Sequence, residues 1–289
     1  MTGPATDVVI VGAPRSGTNL LRDVLTSIPG VTTWPCDEIN LIWRHGNRDA
    51  PSDELGPGLA RPEVASYIRR RFDRVRRADA PYVVEKTCAN SLRMGFVRAV
   101  LPDAKYVLIT RDGVDAAASA MARWNAPFDL RYTAAKARFV PISDVLPYGA
   151  RFVAGRLRRR AGARSGRGQV TGWWGPRPAD YRALMADHPL DEVCALQWQR
   201  CVDAAHRDLQ DLLGDQLLHV TYEDFVRAPH RRVAELGDFL GIPGAADRAR
   251  IDGVTAASIG RGRTALGPDA VARLERLVAS SLERLGYVG

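Results

Sequence analysis

Residues 8–21 read Val-Val-Ile-Val-Gly-Ala-Pro-Arg-Ser-Gly-Thr-Asn-Leu-Leu, and this stretch decides the fold. A short, continuously apolar run is typical of a buried parallel strand, and helical periodicity follows from Thr18. Between them lies a tight loop of glycine, proline and small residues. Such a unit directs backbone N–H groups and a helix N-terminus toward an anion, as phosphate-binding loops do. The stretch therefore predicts an α/β fold with an anion site after its first strand.

This loop has the glycine spacing of a Walker A loop, with Gly12 and Gly17 in place. The position that carries lysine in ATP- and GTP-using loops is Thr18 here, and the basic side chain lies inside the loop, at Arg15. Enzymes that transfer phosphoryl groups need that lysine and a hydroxyl that binds Mg²⁺. The missing lysine thus indicates a nucleotide site at which something other than a phosphoryl group is transferred.

Strands alternate with helices along most of the chain, which predicts a P-loop-type parallel β-sheet flanked by helices. We expect strands at 8–11, 82–84, 106–110 and 217–221, and helices at 18–28, 62–78, 91–100, 114–124, 190–213, 229–240 and 268–285. Residues 126–188 are rich in proline, glycine and arginine, so we interpret them as an irregular excursion from a single domain that spans 1–289.

The composition excludes several classes of protein. The formal net charge is +8, but seven arginines fall within residues 151–167, and the remainder is nearly neutral, which argues against a nucleic-acid-binding protein. The four cysteines form no CxxC pair, so we expect reduced thiols and no metal site. The N-terminus has no signal-peptide pattern, and no apolar run is long enough to span a bilayer, so a cytoplasmic protein is expected.

A second anion motif follows the strand at 106–110. Arg111 ends that strand, and Ser119 and Arg123 lie four residues apart on one face of the next helix. A strand-end guanidinium and a helix hydroxyl in this arrangement can converge on one phosphate. Together with the first loop, the motif predicts a nucleotide that carries two separate phosphate groups.

At these motifs the sequence resembles the sulfotransferase family that uses 3′-phosphoadenosine-5′-phosphosulfate (PAPS). Residues 13–18 look like the family's 5′-phosphosulfate loop, and residues 110–119 look like its 3′-phosphate motif. Glu85-Lys86-Thr87 resembles its lysine-containing strand end, and later signatures match at 219–225, 238–241 and 259–263. The resemblance covers most of the chain outside residues 126–188.

The resemblance implies PAPS as donor, 3′,5′-ADP as product, and no metal. It implies Lys86 and Arg15 as the cations that stabilise charge on the transferring sulfuryl group. The donor-binding residues that it implies are Pro14, Arg15, Ser16, Gly17, Thr18, Asn19, Arg111, Ser119, Arg123, Tyr222, Ser258, Arg261 and Arg263.

Sulfuryl transfer also needs a general base that takes the acceptor's proton. Tyrosylprotein sulfotransferases and several carbohydrate sulfotransferases use a glutamate, and Glu38 follows the first helix, where the tyrosylprotein type carries it. We therefore assign the base to Glu38, with Asp37 as the second candidate and His45 as the third. The alternative is a surface Asp-Glu pair that caps a helix.

The loop at 258–263, with Tyr222, matches positions that close over the nucleotide in relatives. Two arginines beside glycines would make a flexible cationic flap over a phosphate, and we expect either Arg261 or Arg263 to contact it. The alternative is a solvated loop.

Residues 145–179 contain no acidic residue and predict a basic amphipathic helix at about 147–160. One interpretation is a solvated helix joined to a disordered loop. The others are an acceptor element for an anionic glycan and a peripheral contact with an anionic membrane surface. Trp173 and Trp174 either stack on a sugar ring or anchor the segment on the core.

The expected acceptor is a hydroxyl group of a carbohydrate or glycolipid. Tyrosyl peptides and small metabolites remain alternatives, because a glutamate base does not separate sugars from tyrosine. Two other functions remain as alternatives to a sulfotransferase. One is a P-loop kinase, and the other is a nucleotide-binding module without catalytic activity. The sequence does not indicate the oligomeric state.

Overall fold

In the computed structural model, which describes residues 5–124, 173–212 and 214–287, five parallel strands form one sheet in the order β2-β3-β1-β4-β5. The strands are β1 Thr6–Val11, β2 Val31–Thr32, β3 Tyr82–Lys86, β4 Lys105–Thr110 and β5 Leu217–Thr221. Ile10 of β1 lies opposite Lys86 of β3, and on the other side it lies opposite Val107 of β4. The loop that follows β1 therefore lies between the carboxyl ends of β3 and β4.

Helices cover both faces of this sheet. They are α1 Thr18–Thr26, α2 Asn40–Trp43, α3 Pro62–Val75, α4 Met94–Val100, α5 Gly113–Trp124, α6 Tyr181–Asp187, α7 Leu190–Leu209, α8 Tyr222–Arg227, α9 Pro229–Leu240, α10 Ala245–Arg248, α11 Arg261–Leu266, α12 Pro268–Leu277 and α13 Ala279–Arg284. Single 3₁₀ turns lie at Pro57–Leu59, Cys88–Leu92 and Ala256–Ser258. Among these described helices, none has the length and hydropathy needed to cross a membrane.

β1 is buried on both faces, which accounts for its unbroken apolar run. Val9 and Val11 join one core with side chains of α2, α3 and α4. Val8 and Ile10 join a second core with side chains of α1, α8 and α9. Burying such a side chain stabilises the fold by roughly 1.5–3 kcal/mol, so the strand that positions the anion loop is also a major source of stability.

A third core fixes α5, the helix of the second anion motif. Its alanines allow a close approach to α7, and a Cβ at Gly113 would lie 2.7 Å from the ring of Trp198. Val114 and Ala117 are fully buried in this contact. α5 is therefore held rigidly while its other face reaches the anion loop.

The α/β fold with a parallel sheet flanked by helices is confirmed, and most element boundaries lie within a few residues of those expected. The helix expected at 91–100 is a 3₁₀ turn followed by α4, and the one expected at 268–285 breaks at Val278. The excursion at 126–188 contains α6, whose Leu184 is buried. The basic helix expected at 147–160 lies outside the described residues.

Candidate active site

Two glycines shape the loop after β1, and no larger residue fits at either position. A Cβ at Gly12 would lie 2.6 Å from the carbonyl oxygen of Ile109, and one at Gly17 would lie 2.4 Å from the ring of Tyr222. Gly17 also has a φ of +91°, a left-handed conformation that favours glycine. α1 begins directly after this tight turn, and its first N–H groups have no partners within the helix.

The N-terminus of α1 fits a phosphate or phosphosulfate group. No side chain caps the helix, and no acidic residue lies in its first turn, where Asn19 is exposed. Ser16 is fully buried, and its Oγ has no hydrogen-bond partner within the described part of the chain. An unsatisfied buried hydroxyl costs about 1–3 kcal/mol, so an anion oxygen that accepted a hydrogen bond from Ser16 would be stabilising. Pro14, Ser16 and Thr18, all buried, surround this turn.

The structure brings the residues of the second anion motif together with the first loop. Nε of Arg15 donates to Oγ of Ser119 across 2.9 Å, and Nη1 of Arg111 donates to the carbonyl oxygen of Arg15 across 3.0 Å. Partial burial and the positive charges of Arg111 and Arg123 lower the pKa of Arg15 below its ordinary value. Three guanidinium groups that repel one another would gain from a bound dianion.

Arg111 is held at the centre of this cluster by the nucleotide-side residues that the sequence predicts. Its guanidinium lies over the ring of Tyr222, 4.4 Å from the centroid, and its Nη2 donates to the carbonyl oxygen of Ser258 across 2.9 Å. The hydroxyl groups of Tyr222 and Ser258 contact each other. Asp115 lies 3.8 Å away and balances part of the charge. Tyr222 and Ser258 are therefore part of one cluster with the second anion motif.

Two residues of the loop, Arg15 and Thr18, contact other parts of the protein. The sequence predicts that Arg15 contacts the transferring sulfuryl group, and in the structure its guanidinium lies at Ser119 of α5. Thr18 is buried, with its Oγ1 3.6 Å from Sγ of Cys88. Their contacts with the sulfuryl group and the 5′-phosphosulfate stay predictions.

Glu38 and Lys86 form an ion pair at the carboxyl end of β3, with 3.0 Å between Oε1 and Nζ. The backbone N–H of Cys88 donates to the same Oε1 across 3.4 Å. Burial alone would lower the pKa of Lys86, but the charge and the hydrogen bond of Glu38 favour the ammonium form, and the pKa is raised. The Lys86 side chain is 3% exposed and that of Glu38 is 31% exposed. The pair thus combines an enclosed cation with a carboxylate that reaches solvent. The carboxylate is placed to take a proton, and the cation is placed to stabilise negative charge.

The other two candidates for the base have partners elsewhere. Asp37 lies 3.3 Å from Nη1 of Arg22 on α1. The ring of His45 stacks on that of Tyr67, with 3.5 Å between the centroids. α2 begins without a side-chain cap, so the Asp-Glu pair is not a helix cap. These contacts favour Glu38.

Behind Glu38 lies a buried polar cluster that the sequence analysis missed. We call it the Thr87 network, and its members are Asn40, Glu85, Thr87, Asn90 and Arg93. Burial raises the pKa of Glu85 to about 7 and lowers that of Arg93 to about 10. The one signal in the sequence is a carboxylate in the apolar strand Val83-Val84-Glu85. The turn at Cys88–Leu92 brings Asn90 and Arg93 back to Glu85, and Asn40 joins them from 53 residues away.

The loop at 259–263 is held by a carboxylate of the protein itself. Asp115 of α5 accepts hydrogen bonds from the backbone N–H groups of Gly260, across 2.6 Å, and Gly262, across 2.8 Å. These N–H groups open α11, so Asp115 occupies the place that an anion would take there. The loop is therefore docked on α5 rather than solvated.

The two arginines of this loop have different environments. Arg263 forms ion pairs with Asp112, at 2.6 Å, and with Glu275, at 2.5 Å. Partial burial opposes its charge, but these two carboxylates outweigh the burial and raise the pKa of Arg263. Arg261 is exposed and has no ion pair within the described part of the chain. Of the two, Arg261 is the side chain that remains available to a phosphate.

The two tryptophans that follow the undescribed residues 125–172 pack on the protein. Nε1 of Trp173 donates to the carbonyl oxygen of Pro176, and its ring meets those of Trp124 and Tyr181 edge to face, each with 5.5 Å between centroids. Trp174 packs against the third core. The sequence left two interpretations open, stacking on a sugar ring and anchoring on the core, and these contacts correspond to the second.

The thiol that lies beside this site is that of Cys88, which contacts Oγ1 of Thr18. All four cysteines are free, and burial raises the pKa of Cys88 to about 12, so its thiol stays neutral. The described residues contain no group of three or more histidines, cysteines and carboxylates that could hold a metal ion.

Comparisons with known proteins identify the family. The model of the sulfotransferase family matches residues 7–140 and 159–247 of this chain. The chain therefore belongs to the sulfotransferase family. No curated protein matches it.

Solved sulfotransferases share the fold. The sulfotransferase domain from the curacin biosynthetic pathway is 16% identical, with a TM-score of 0.52 over 100% of this chain and 99% of that one. A mouse sulfotransferase complexed with PAP is 15% identical, with a TM-score of 0.50 over 98% of this chain and 85% of that one. A sulfotransferase from Mycobacterium avium is also 15% identical, with a TM-score of 0.50 over 98% and 77%. At these identities the likeness shows the fold alone.

Proposed function

We propose that this sulfotransferase moves a sulfuryl group from PAPS to a hydroxyl group of a carbohydrate or glycolipid. The observation that carries the proposal is the strand order around the anion loop. The cluster of Arg111 and Ser119 lies on the β4 side of the loop, and the pair of Glu38 and Lys86 lies on the β3 side. A donor with a 3′-phosphate and a 5′-phosphosulfate would bind with the first on the β4 side and present its sulfur on the β3 side.

The residues divide between the two ends of such a donor. The N-terminus of α1 and Ser16 would hold the 5′-phosphosulfate, and Arg111, Ser119 and Arg123 would hold the 3′-phosphate. Arg15 belongs to both regions, because its backbone lies in the loop and its guanidinium lies in the cluster. PAP, which is 3′,5′-ADP, is the nucleotide bound in the mouse sulfotransferase of the same fold.

The chemistry is an in-line displacement at sulfur. The acceptor oxygen forms a bond to sulfur while the bond from sulfur to the bridging oxygen breaks, and 3′,5′-ADP leaves with that electron pair. Glu38 takes the proton of the acceptor hydroxyl, and Lys86 stabilises the charge that grows on the bridging oxygen. Because a sulfuryl group carries less charge than a phosphate chain, we propose that the reaction needs no metal ion.

The donor is tested by calorimetric titration with 3′,5′-ADP, ADP and ATP, without and with Mg²⁺. Selective binding of 3′,5′-ADP without Mg²⁺ is expected, and Mg²⁺-dependent turnover of ATP would replace the proposal with a kinase. The acceptor is tested by incubating ³⁵S-labelled PAPS with separate glycan, lipid and peptide extracts. Label in glycans or glycolipids is expected, and label confined to tyrosyl peptides or small metabolites would overturn the acceptor.

A peripheral contact with an anionic membrane through residues 145–179 belongs to the same proposal, and most of that range lies outside the described residues. Co-sedimentation with anionic and neutral liposomes tests it. Binding to anionic vesicles is expected, and the absence of binding to both kinds removes the membrane contact.

A further inference from the structure

Two chains of hydrogen bonds connect the buried carboxylate of Glu85 to the two residues that follow Glu38. The first chain ends at the backbone N–H of Ile39, and the second ends at the side chain of Asn40. Both chains begin on Glu85, which is 1% exposed at the end of β3. The peptide next to the proposed base is therefore fixed at two consecutive residues.

The first chain of hydrogen bonds runs through Thr87, which has no solvent exposure. Its hydroxyl donates to Oε1 of Glu85 across 2.5 Å and accepts from the N–H of Ile39 across 3.1 Å. The backbone N–H of Ile39 can only donate, so the oxygen of Thr87 accepts from it, and the hydroxyl proton of Thr87 is left for Glu85. Thr87 therefore links the two groups by accepting from one and donating to the other.

The second chain runs through Asn90 and Arg93. Nδ2 of Asn90 donates to Oε2 of Glu85 across 2.9 Å, and its Oδ1 accepts from Nε of Arg93, also across 2.9 Å. Nη2 of Arg93 then donates to Oδ1 of Asn40 across 2.6 Å. The chain ends on the first residue of α2, so it fixes the start of that helix against β3.

We propose that the Thr87 network positions Glu38 for proton transfer, with Thr87 as the positioning residue that fixes the backbone beside the base. This inference rests on the proposed function, in which Glu38 is the base. Lys86 lies between Glu85 and Thr87 in the sequence, so the same strand end that carries the cation also sets the place of the carboxylate. The network thereby fixes the relative position of the two charged groups.

The expected loss of activity follows from how sharply the rate of proton transfer depends on the position of the base. A displacement of about 1 Å at a reacting group costs on the order of 100-fold in rate. Losing the bond to the N–H of Ile39 frees the segment before α2, while the ion pair of Glu38 with Lys86 remains. We therefore expect a fall in kcat of roughly 10- to 100-fold, with the affinity for 3′,5′-ADP unchanged.

The test compares Thr87→Val, which removes the hydroxyl and keeps the shape, with Thr87→Ser, which keeps the hydroxyl. Ser281→Ala is the matched control, because Ser281 is a fully buried hydroxyl that donates to Asp203 across 2.7 Å and is not a member of the Thr87 network. Each variant is measured for the release of ³⁵S-sulfate from PAPS to water, for calorimetric affinity for 3′,5′-ADP, and for hydrogen–deuterium exchange of the peptide covering 36–43.

The expected result is slow release and fast exchange at 36–43 in Thr87→Val, recovery of both in Thr87→Ser, and neither change in Ser281→Ala. Wild-type release rates in Thr87→Val overturn the inference, and so does a loss that Thr87→Ser does not restore. Unchanged exchange at 36–43 in Thr87→Val overturns it even if the wild type turns over no PAPS. A wild type that neither binds 3′,5′-ADP nor transfers ³⁵S to any acceptor extract instead overturns the proposed function.

Discussion

Oε1 of Glu38 and Nζ of Lys86 lie 3.0 Å apart, and one of the two side chains is enclosed while the other reaches solvent. A charge that is buried alone is costly, so the Glu38 carboxylate helps to keep the enclosed Lys86 in its charged form. The Glu38 carboxylate is therefore ready to accept a proton, and the Lys86 ammonium is ready to face a developing negative charge.

Glu38→Gln should abolish turnover and keep donor binding. Losing a general base lowers a rate by roughly 10²- to 10⁴-fold, while the residues that contact the nucleotide are unchanged. The measurements are ³⁵S transfer from PAPS and calorimetric affinity for 3′,5′-ADP. Asp37→Asn is the control, since Asp37 is held by Arg22, and it should keep most of the activity. A fully active Glu38→Gln enzyme would contradict the assignment of Glu38 as the general base.

Arg261→Ala and Arg263→Ala should have separable effects. Arg261 is exposed, and a lost charge-assisted bond to phosphate should weaken 3′,5′-ADP binding about tenfold without changing the melting temperature. Arg263→Ala leaves Asp112 and Glu275 without their cation, so the melting temperature should fall by a few degrees. Calorimetry and thermal unfolding check the two variants, and unchanged affinity in Arg261→Ala would contradict the assignment.

The stability of the protein should depend on pH through Glu85. Burial raises its pKa from 4.5 to about 7, so its contribution to the free energy of unfolding is fully present below about pH 4.5 and is lost as the pH rises through about 7. The shift corresponds to about 3 kcal/mol. Glu85→Gln cannot ionise, so it should remove this part of the pH dependence. Urea unfolding between pH 5 and pH 8 measures it, and equal slopes in both proteins would refute the prediction.

Gly17→Ala should impair the anion loop. The new Cβ would lie 2.4 Å from the ring of Tyr222, and the left-handed φ of +91° adds strain of about 1–3 kcal/mol. Weaker 3′,5′-ADP binding and a lower melting temperature are expected together. Gly58→Ala is the control, because nothing lies within 4 Å of its Cβ. Normal donor binding in Gly17→Ala would show that the loop tolerates a wider turn.

The sequence predicted those parts of the molecule that depend on local pattern. The apolar run of β1 and the alanines of α5 predicted a buried strand and a closely packed helix, and both are present. What the sequence could not show are contacts between residues far apart in the chain. Arg263 and Asp112 are 151 residues apart, and only the docking of the 259–263 loop on α5 makes them partners. In the Thr87 network, the links to Ile39 and Asn40 were missed for the same reason, since they span 48 and 53 residues.

The edge-to-face contact between Trp124 and Trp173 joins two described residues that lie 49 positions apart in the sequence. Trp124 is the last residue of α5, and Trp173 is tied to the turn before α6 by its bond to the carbonyl oxygen of Pro176. Losing either ring would therefore loosen the end of the helix that carries Ser119 and Arg123, so the anion cluster depends on aromatic packing that itself touches no anion.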